Sequence, residues 1–181
     1  MAHTEVLKVA ISFMLSIVWI AVLPGSFDPP TYGHLNLIHR AAAIFDRLHV
    51  VIAVNPNKGY LFSGEERVEM IRGLVAENSN VEVHAWDRLI VKFVASVGAD
   101  IIVRGVRAFS DFGYEFELAM TNKTLLPGTE TIFIPTDPKY FVLRSSAIKE
   151  IAAFGGEIES MVPESVASRI RERIEMSGKQ P

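Results

Sequence analysis

Cysteine is absent from the 181 residues, which removes disulfides, thiolate zinc sites and thiol nucleophiles from consideration. Positive charge is not in excess either. With 18 Lys and Arg against 21 Asp and Glu, a formal charge of -3 and a pI near 6.0, the chain lacks the basic face that a general nucleic-acid binder needs. No internal repeat or low-complexity tract breaks the sequence. The longest apolar run, Val9 to Leu23, is interrupted by Ser12 and Ser16 and falls short of the roughly 20 residues that span a membrane. It has the length of a secretory h-region, but Glu5 offsets Lys8 and no small-x-small cleavage site precedes Pro24. The expectation is a core strand preceded by an extension of open role, no membrane association, and a cytoplasmic protein.

What is present, 49% hydrophobic and 22% charged residues, fits one globular domain with a substantial core. Its expected limits are residues 17-176, with 1-16 as the extension and 177-181 as a tail. Ile17 to Leu23 is apolar without alternation, as in a parallel strand covered on both faces, and Pro24-Gly25 is expected to stop it. Leu48 to Val54, Val81 to Trp86, Asp100 to Val103 and Thr131 to Ile134 read as four further strands. Between them lie helical patterns. Ser63-Gly64-Glu65-Glu66 spells a capping box, Leu89 to Val97 suits a short helix ended by Gly98, and Phe112, Phe116, Ala119 and Met120 define one helix face. Ser145-Ser146 precedes a short helix through Ala153, and Pro163 to Ile174 forms a last one. Such alternation implies an α/β, Rossmann-like, doubly wound five-stranded parallel sheet, with ligands at the carboxyl edge of its strands.

The segment Pro24 to His34 carries the most information. It leaves the first strand, is held extended by Pro29-Pro30, and enters a helix whose apolar positions are Leu35, Ile38, Ala41, Ala42 and Phe45. Thr31 stands at the N-cap, so His34 occupies the third helical position. Unpaired N–H groups at a helix start attract an anion, and Gly33 removes side-chain bulk beside them. On its own, a first-turn histidine is more often a cap or a solvated residue. The topology adds to it: Ser26, Phe27 and His34 follow the first strand, Lys58 the second, Arg104 and Arg107 the fourth, and Ser145 and Ser146 the fifth. Two helix starts, a lysine and two arginines at one edge suit a nucleoside triphosphate and a second phosphorylated substrate.

The run P-G-S-F-D-P-x-T-x-G-H resembles the T/H-x-G-H signature of the nucleotidyltransferase superfamily, and most specifically the bacterial phosphopantetheine adenylyltransferase family. Phe62 with Glu65-Glu66-Arg67, Arg104-Gly105-Val106-Arg107-Ala108, Asp111-Phe112 with Tyr114-Glu115, and Ser145-Ser146 with Lys149-Glu150 extend the resemblance from Ile20 nearly to the end. It implies transfer of AMP from ATP to 4′-phosphopantetheine, giving dephospho-coenzyme A and pyrophosphate, with Mg²⁺ as cofactor, a homohexamer, and feedback by coenzyme A. It also implies that Ser26, Lys58, Ile90 and Arg104 hold phosphopantetheine. Ser26, Phe27, His34, Gly105, Val106, Arg107 and Glu115 would hold ATP, with Tyr140, Phe141, Val142, Leu143, Arg144, Ser145 and Ser146 along the triphosphate. Arg144 stands where relatives often carry serine, either as an added phosphate ligand or pointing outward.

A phosphate monoester with a second pKa near ~6 is largely dianionic at neutral pH, so the chemistry needs no general base. It needs two anions brought together, and positioning can supply roughly 7–11 kcal/mol of that barrier. The catalytic set is therefore expected to be His34, donating to the α-phosphoryl group, Lys58 and Arg104 on the attacking phosphate, and Arg107 with Ser145 on the leaving pyrophosphate. Asp28 is either an outer carboxylate for the metal or a cap of its own turn. His39, His49 and His84 lack ligand spacing and read as solvated or packed. Phe112 and Phe116 read as core, and Tyr140 as a stacking surface. Alternatives are a nicotinamide-mononucleotide adenylyltransferase, a cytidylyltransferase, a silent nucleotide-binding module, or a tethered variant.

Overall fold

The computed structural model describes residues 18–176 and 178. The expectations for 1–16 and for most of the tail lie outside the described residues. The elements run β1 (Ile20–Gly25), α1 (Tyr32–Ala42), β2 (Arg47–Ala53), α2 (Gly64–Leu74), β3 (Val81–Trp86), α3 (Ile90–Ser96), β4 (Ile101–Val106), α4 (Phe109–Leu125), β5 (Glu130–Pro135), α5 (Ser145–Ala153) and α6 (Glu164–Met176). All strand pairings are parallel, in the order β3-β2-β1-β4-β5. The sheet is thus wound outward in both directions from β1. Pro24 and Gly25 do not stop β1 as the sequence suggests: both still pair with β2, opposite Val51 and Ile52. A proline is tolerated there because the strand's carboxyl end is already opening toward the cavity described below.

Successive residues of β1 serve opposite faces, since side chains alternate along a strand. Ala21 and Leu23 pack with Ile38, Val50, Ile52 and Ile71 under α1 and α2, whereas Val22 packs with Val51, Phe93, Val94 and Ile102 under α3. Burying each such aliphatic side chain contributes roughly 1.5–3 kcal/mol, so the central strands are the most firmly held part of the sheet. A third cluster, of Phe62, Met70, Ile148, Val162, Val166 and Ile170, fastens α5 and α6 onto α2. The expected capping box forms between Ser63 and Glu66, and the Thr31 N-cap forms a second one with His34, each pair exchanging hydrogen bonds across the first turn. Gly98 leaves α3 at φ 65, a conformation that costs glycine nothing.

The stripe on α4 departs from the expectation. Of its four positions only Ala119 is buried; Phe116 and Met120 are about half exposed and Phe112 is 37% exposed, resting edge-on against Phe133. The helix lies at the β5 edge, where the sheet is too narrow to cover a full apolar stripe.

Asp28 ties three segments together. Its carboxylate, 4% exposed, accepts from the Leu61 and Phe62 N–H groups at 3.0–3.1 Å and pairs with Lys149 Nζ at 2.8 Å. Its partners lie in the chain around Leu61 and on α5, not in its own turn. Asp28→Ala should lower stability by about 2–4 kcal/mol, because two amides and an ammonium lose one buried acceptor. A urea midpoint shift at unchanged slope would report it, and a loss below ~1 kcal/mol would mean that water replaces the carboxylate.

Candidate active site

Strands β1 and β4 are neighbours whose following chain segments leave in opposite directions, which opens a crevice at their carboxyl ends. A cavity of ≈ 610 Å³ occupies it, walled by the end of β1, the start of α1, the end of β4 and the chain around Tyr140 to Ser146. His34, Lys58, Arg104 and Arg107, from three separate parts of the sequence, all line it.

At its base the loop after β1 is strained. Phe27, buried, sits at φ 48, a left-handed conformation costing roughly 1–2 kcal/mol in a bulky residue. Its ring meets the His34 imidazole edge-on at 5.0 Å. Gly25 makes room for this ring, since a Cβ there would stand 2.7 Å from Phe27 Cε2.

The capping box decides the state of His34. Its Nδ1 lies 3.1 Å from the Thr31 N–H and accepts from it, so the ring proton is carried by Nε2, on the opposite side of the ring. Burial, reinforced by the Arg107 charge, lowers its pKa from 6.5 to about 4. At neutral pH His34 is an uncharged N–H donor. The helix start is less open than the sequence suggests. Tyr32 N–H donates to Met161 O at 3.1 Å and His34 N–H to Thr31 Oγ1 at 3.2 Å, which leaves Gly33 N–H of the first three for an anion. A Cβ on Gly33 would lie 3.4 Å from Tyr140 Cβ, narrowing the gap beside that N–H.

The arginines are held by carboxylates. Arg104 forms a fork with Glu115 through Nε at 2.5 Å and Nη2 at 2.8 Å, and its Nη1 donates to Pro24 O at 2.7 Å. Arg107 meets Asp111 at 3.1 Å and donates to Leu143 O. Glu115, expected at ATP, thus reaches the cavity as the partner of Arg104. Lys58 is exposed on the loop after β2, and Arg144, also exposed, lines the same cavity. With Arg104 and Arg107 these cations outnumber the two wall carboxylates, Asp111 and Glu115, four to two.

Ser26, Phe27, Gly105, Tyr140, Leu143, Ser145 and Ser146 also line the cavity. A Cβ on Gly105 would come 2.6 Å from Leu37 Cδ2, so a larger residue there would have to displace that side chain. Ser145 Oγ donates to Pro29 O at 2.9 Å, fastening α5 to the loop before α1. Four expected residues are not in its wall. Ile90 opens α3 and packs on the Val22 and Phe93 cluster, Val106 ends β4, and Phe141 and Val142 are 50% and 75% exposed. The short 3-10 turn Pro138–Tyr140 presents Tyr140 to the cavity, and the next two residues fall outside its wall.

Sequence reasoning gave Arg67 no role. It is fully buried, donates to Phe62 O, Ser63 O, Ser26 O and Ala53 O at 2.7–3.3 Å, and lies 4.0 Å over the Tyr60 ring. One guanidinium thereby links the Ser26 backbone to the loop that carries Lys58. Its presence in the 62–67 resemblance was the available signal.

A family model described as Cytidylyltransferase-like matches residues 22–151. The phosphopantetheine adenylyltransferase of Caldanaerobacter subterraneus subsp. tengcongensis is 48% identical over 158 residues, 87% of this chain and 99% of that protein. The enzyme of the same name from Carboxydothermus hydrogenoformans is 48% identical over 159 residues, 88% and 98% of the two chains. Among solved structures, a putative nicotinate-nucleotide adenylyltransferase from Vibrio parahaemolyticus superposes with a TM-score of 0.62 over 85% of this chain and 99% of that one. At 17% identity, that likeness speaks to the fold alone.

Proposed function

Since the chain belongs to the phosphopantetheine adenylyltransferase family, within the Cytidylyltransferase-like group, we propose that it transfers AMP from ATP to 4′-phosphopantetheine in coenzyme A biosynthesis. A phosphate oxygen of phosphopantetheine forms the new bond to the α-phosphorus in line, the bond to the bridging oxygen breaks, and pyrophosphate leaves with that electron pair. The observation that supports this most is the cavity's combination of one neutral N–H donor with four cations and no candidate base. His34 Nε2–H suits the α-phosphoryl oxygen, where charge develops. Lys58 and Arg104 suit the attacking phosphate, and Arg107, Arg144 and the backbone N–H of Ser145 at the start of α5 the departing one.

Both wall carboxylates are engaged by arginines, so the cavity itself offers no carboxylate cage for a cation. Mg²⁺ fits as the companion of the triphosphate, keeping its waters and phosphate oxygens. When bound there it would neutralise charge on the leaving group.

Exposed Phe109, Phe112, Phe116 and Met120 on α4, with Ile132 on β5, support self-association, and we place the protein as a homohexamer. Sedimentation would then return six times 20.1 kDa. Coenzyme A, which shares the product's pantetheine arm, is the proposed feedback ligand of this cavity. No helix among the described residues is long and apolar enough to cross a membrane, and the proposed compartment is the cytoplasm.

Pyrophosphate release from ATP and Mg²⁺ should occur with 4′-phosphopantetheine and not with nicotinamide mononucleotide, nor from CTP with glycerol 3-phosphate. Release with one of the other acceptors alone would reassign the substrate. Lys58→Ala should reduce kcat/KM for phosphopantetheine about 10–100-fold, the worth of one charged hydrogen bond, while KM for ATP holds. Unchanged kinetics would remove Lys58 from the site.

A further inference from the structure

His49 on β2 and Glu82 and His84 on β3 share one face of the sheet, because parallel pairing sets His49 opposite Glu82 and Val51 opposite His84. Residues two apart along a strand point the same way. Their donor atoms converge. His49 Nδ1 and His84 Nε2 are 3.1 Å apart, and Glu82 Oε2 lies 3.8 Å from the first and 3.7 Å from the second. The in-plane point equidistant from the three atoms is about 2.1 Å from each, and an ion raised out of that plane toward a fourth ligand would lie about 2.2 Å from each, close to the distances at which Zn²⁺ holds imidazole nitrogen and carboxylate oxygen. A hydrogen bond between two imidazoles would account for the 3.1 Å contact. It would not place one carboxylate oxygen at nearly equal distances from both nitrogens.

The donor set, two imidazole nitrogens and one carboxylate oxygen, is of the kind that holds zinc-class ions. Glu82 Oε1 lies 3.7 Å from Arg47 Nε, which turns Oε2 toward the imidazoles. The side chains range from buried to open: His49 is 4% exposed, His84 32% and Glu82 51%. The fourth side of the triad therefore reaches solvent. Among the described residues, no other His, Asp or Glu trio gathers its donors so tightly, and none of the three lines the catalytic cavity. The sequence concealed the group because its ligands come from two strands, with no spacing along the chain to betray them.

We propose that His49, Glu82 and His84 form a three-ligand site for a zinc-class divalent cation, with the fourth position open to water, bracing the edge strand β3 against β2. The full chain, stripped with chelator and dialysed, should bind one Zn²⁺ per protomer by calorimetry in the absence of nucleotide. Co²⁺ in its place should show the intense visible bands of a four-coordinate ion. His84→Asn and Glu82→Gln, both at solvent-accessible positions, should each weaken Zn²⁺ binding at least 10-fold and abolish the cobalt bands. Their adenylyl transfer with Mg²⁺ should remain within about twofold of wild type. His34→Ala should bind Zn²⁺ as wild type does, which separates this site from the cavity. Absence of stoichiometric binding by wild type, equal affinity in both triad variants, or loss of the ion on His34→Ala would each overturn the proposal.

Discussion

His34→Ala is expected to lower kcat by about 10²–10³, the range associated with removing one preorganised donor from a developing oxyanion. The loss in stability should stay near ~1 kcal/mol, since one half of a capping box disappears while Thr31 persists at the N-cap. Steady-state kinetics beside urea melts would separate the two. A stability loss large enough to account for the missing activity would demote His34 to a capping residue.

The pH behaviour of this variant is a second readout. The folded imidazole resists protonation down to about 4, whereas the unfolded one takes a proton below its ordinary 6.5. Over that window the unfolded chain binds more protons, so stability falls as pH drops. His49 and His84, also lowered, act in the same direction. His34→Ala should make the slope shallower without abolishing it. The acid limb of kcat/KM, by contrast, should remain near ~6 in wild type and variant alike, because it belongs to the substrate's phosphate monoester. A limb that moved with the substitution would mean that His34 itself exchanges a proton during turnover.

Arg104→Ala is expected to cost as much in activity and more in stability. It removes a cation from the phosphate-binding wall, and it strands Glu115, whose side chain is 14% exposed, without its bidentate partner. Breaking such a charged pair on one side costs about 2–4 kcal/mol, and kcat/KM for phosphopantetheine should fall about 10²–10³-fold. The double variant Arg104→Ala with Glu115→Gln discriminates between these effects. Neutralising the stranded carboxylate should recover much of the stability while activity stays low. If activity returned along with stability, Arg104 would be acting only as structural support for α4. Arg104→Lys should rescue little, because an ammonium cannot make the fork to Glu115 and reach Pro24 O together.

The exposed apolar positions on α4 show where sequence periodicity misleads. A 3.6-residue stripe says that one face avoids water, but not whether the chain's own sheet or another copy covers it. Arg144 illustrates the reverse: its open position was settled once the turn at Pro138–Tyr140 directed the following chain back to the cavity rim. Asp28 was recognised as a carboxylate beside the nucleotide motif, yet its partner Lys149 is 121 residues away, beyond any local signal.

The order of apolar runs, the Thr31 N-cap, the Ser63 capping box and the glycines and prolines between them were enough to specify a parallel α/β sheet and to gather the cations at one edge. These properties depend on hydrophobic periodicity and on backbone geometry within a few residues, which a sequence states directly. The burial of His34 beside Arg107, the capture of Arg104 by Glu115, and the meeting of His49 with Glu82 and His84 were decided only by the tertiary structure. Each depends on ångström-scale separations between strands and helices, fixed by sheet register and core packing, and electrostatic pairing is steep over such distances.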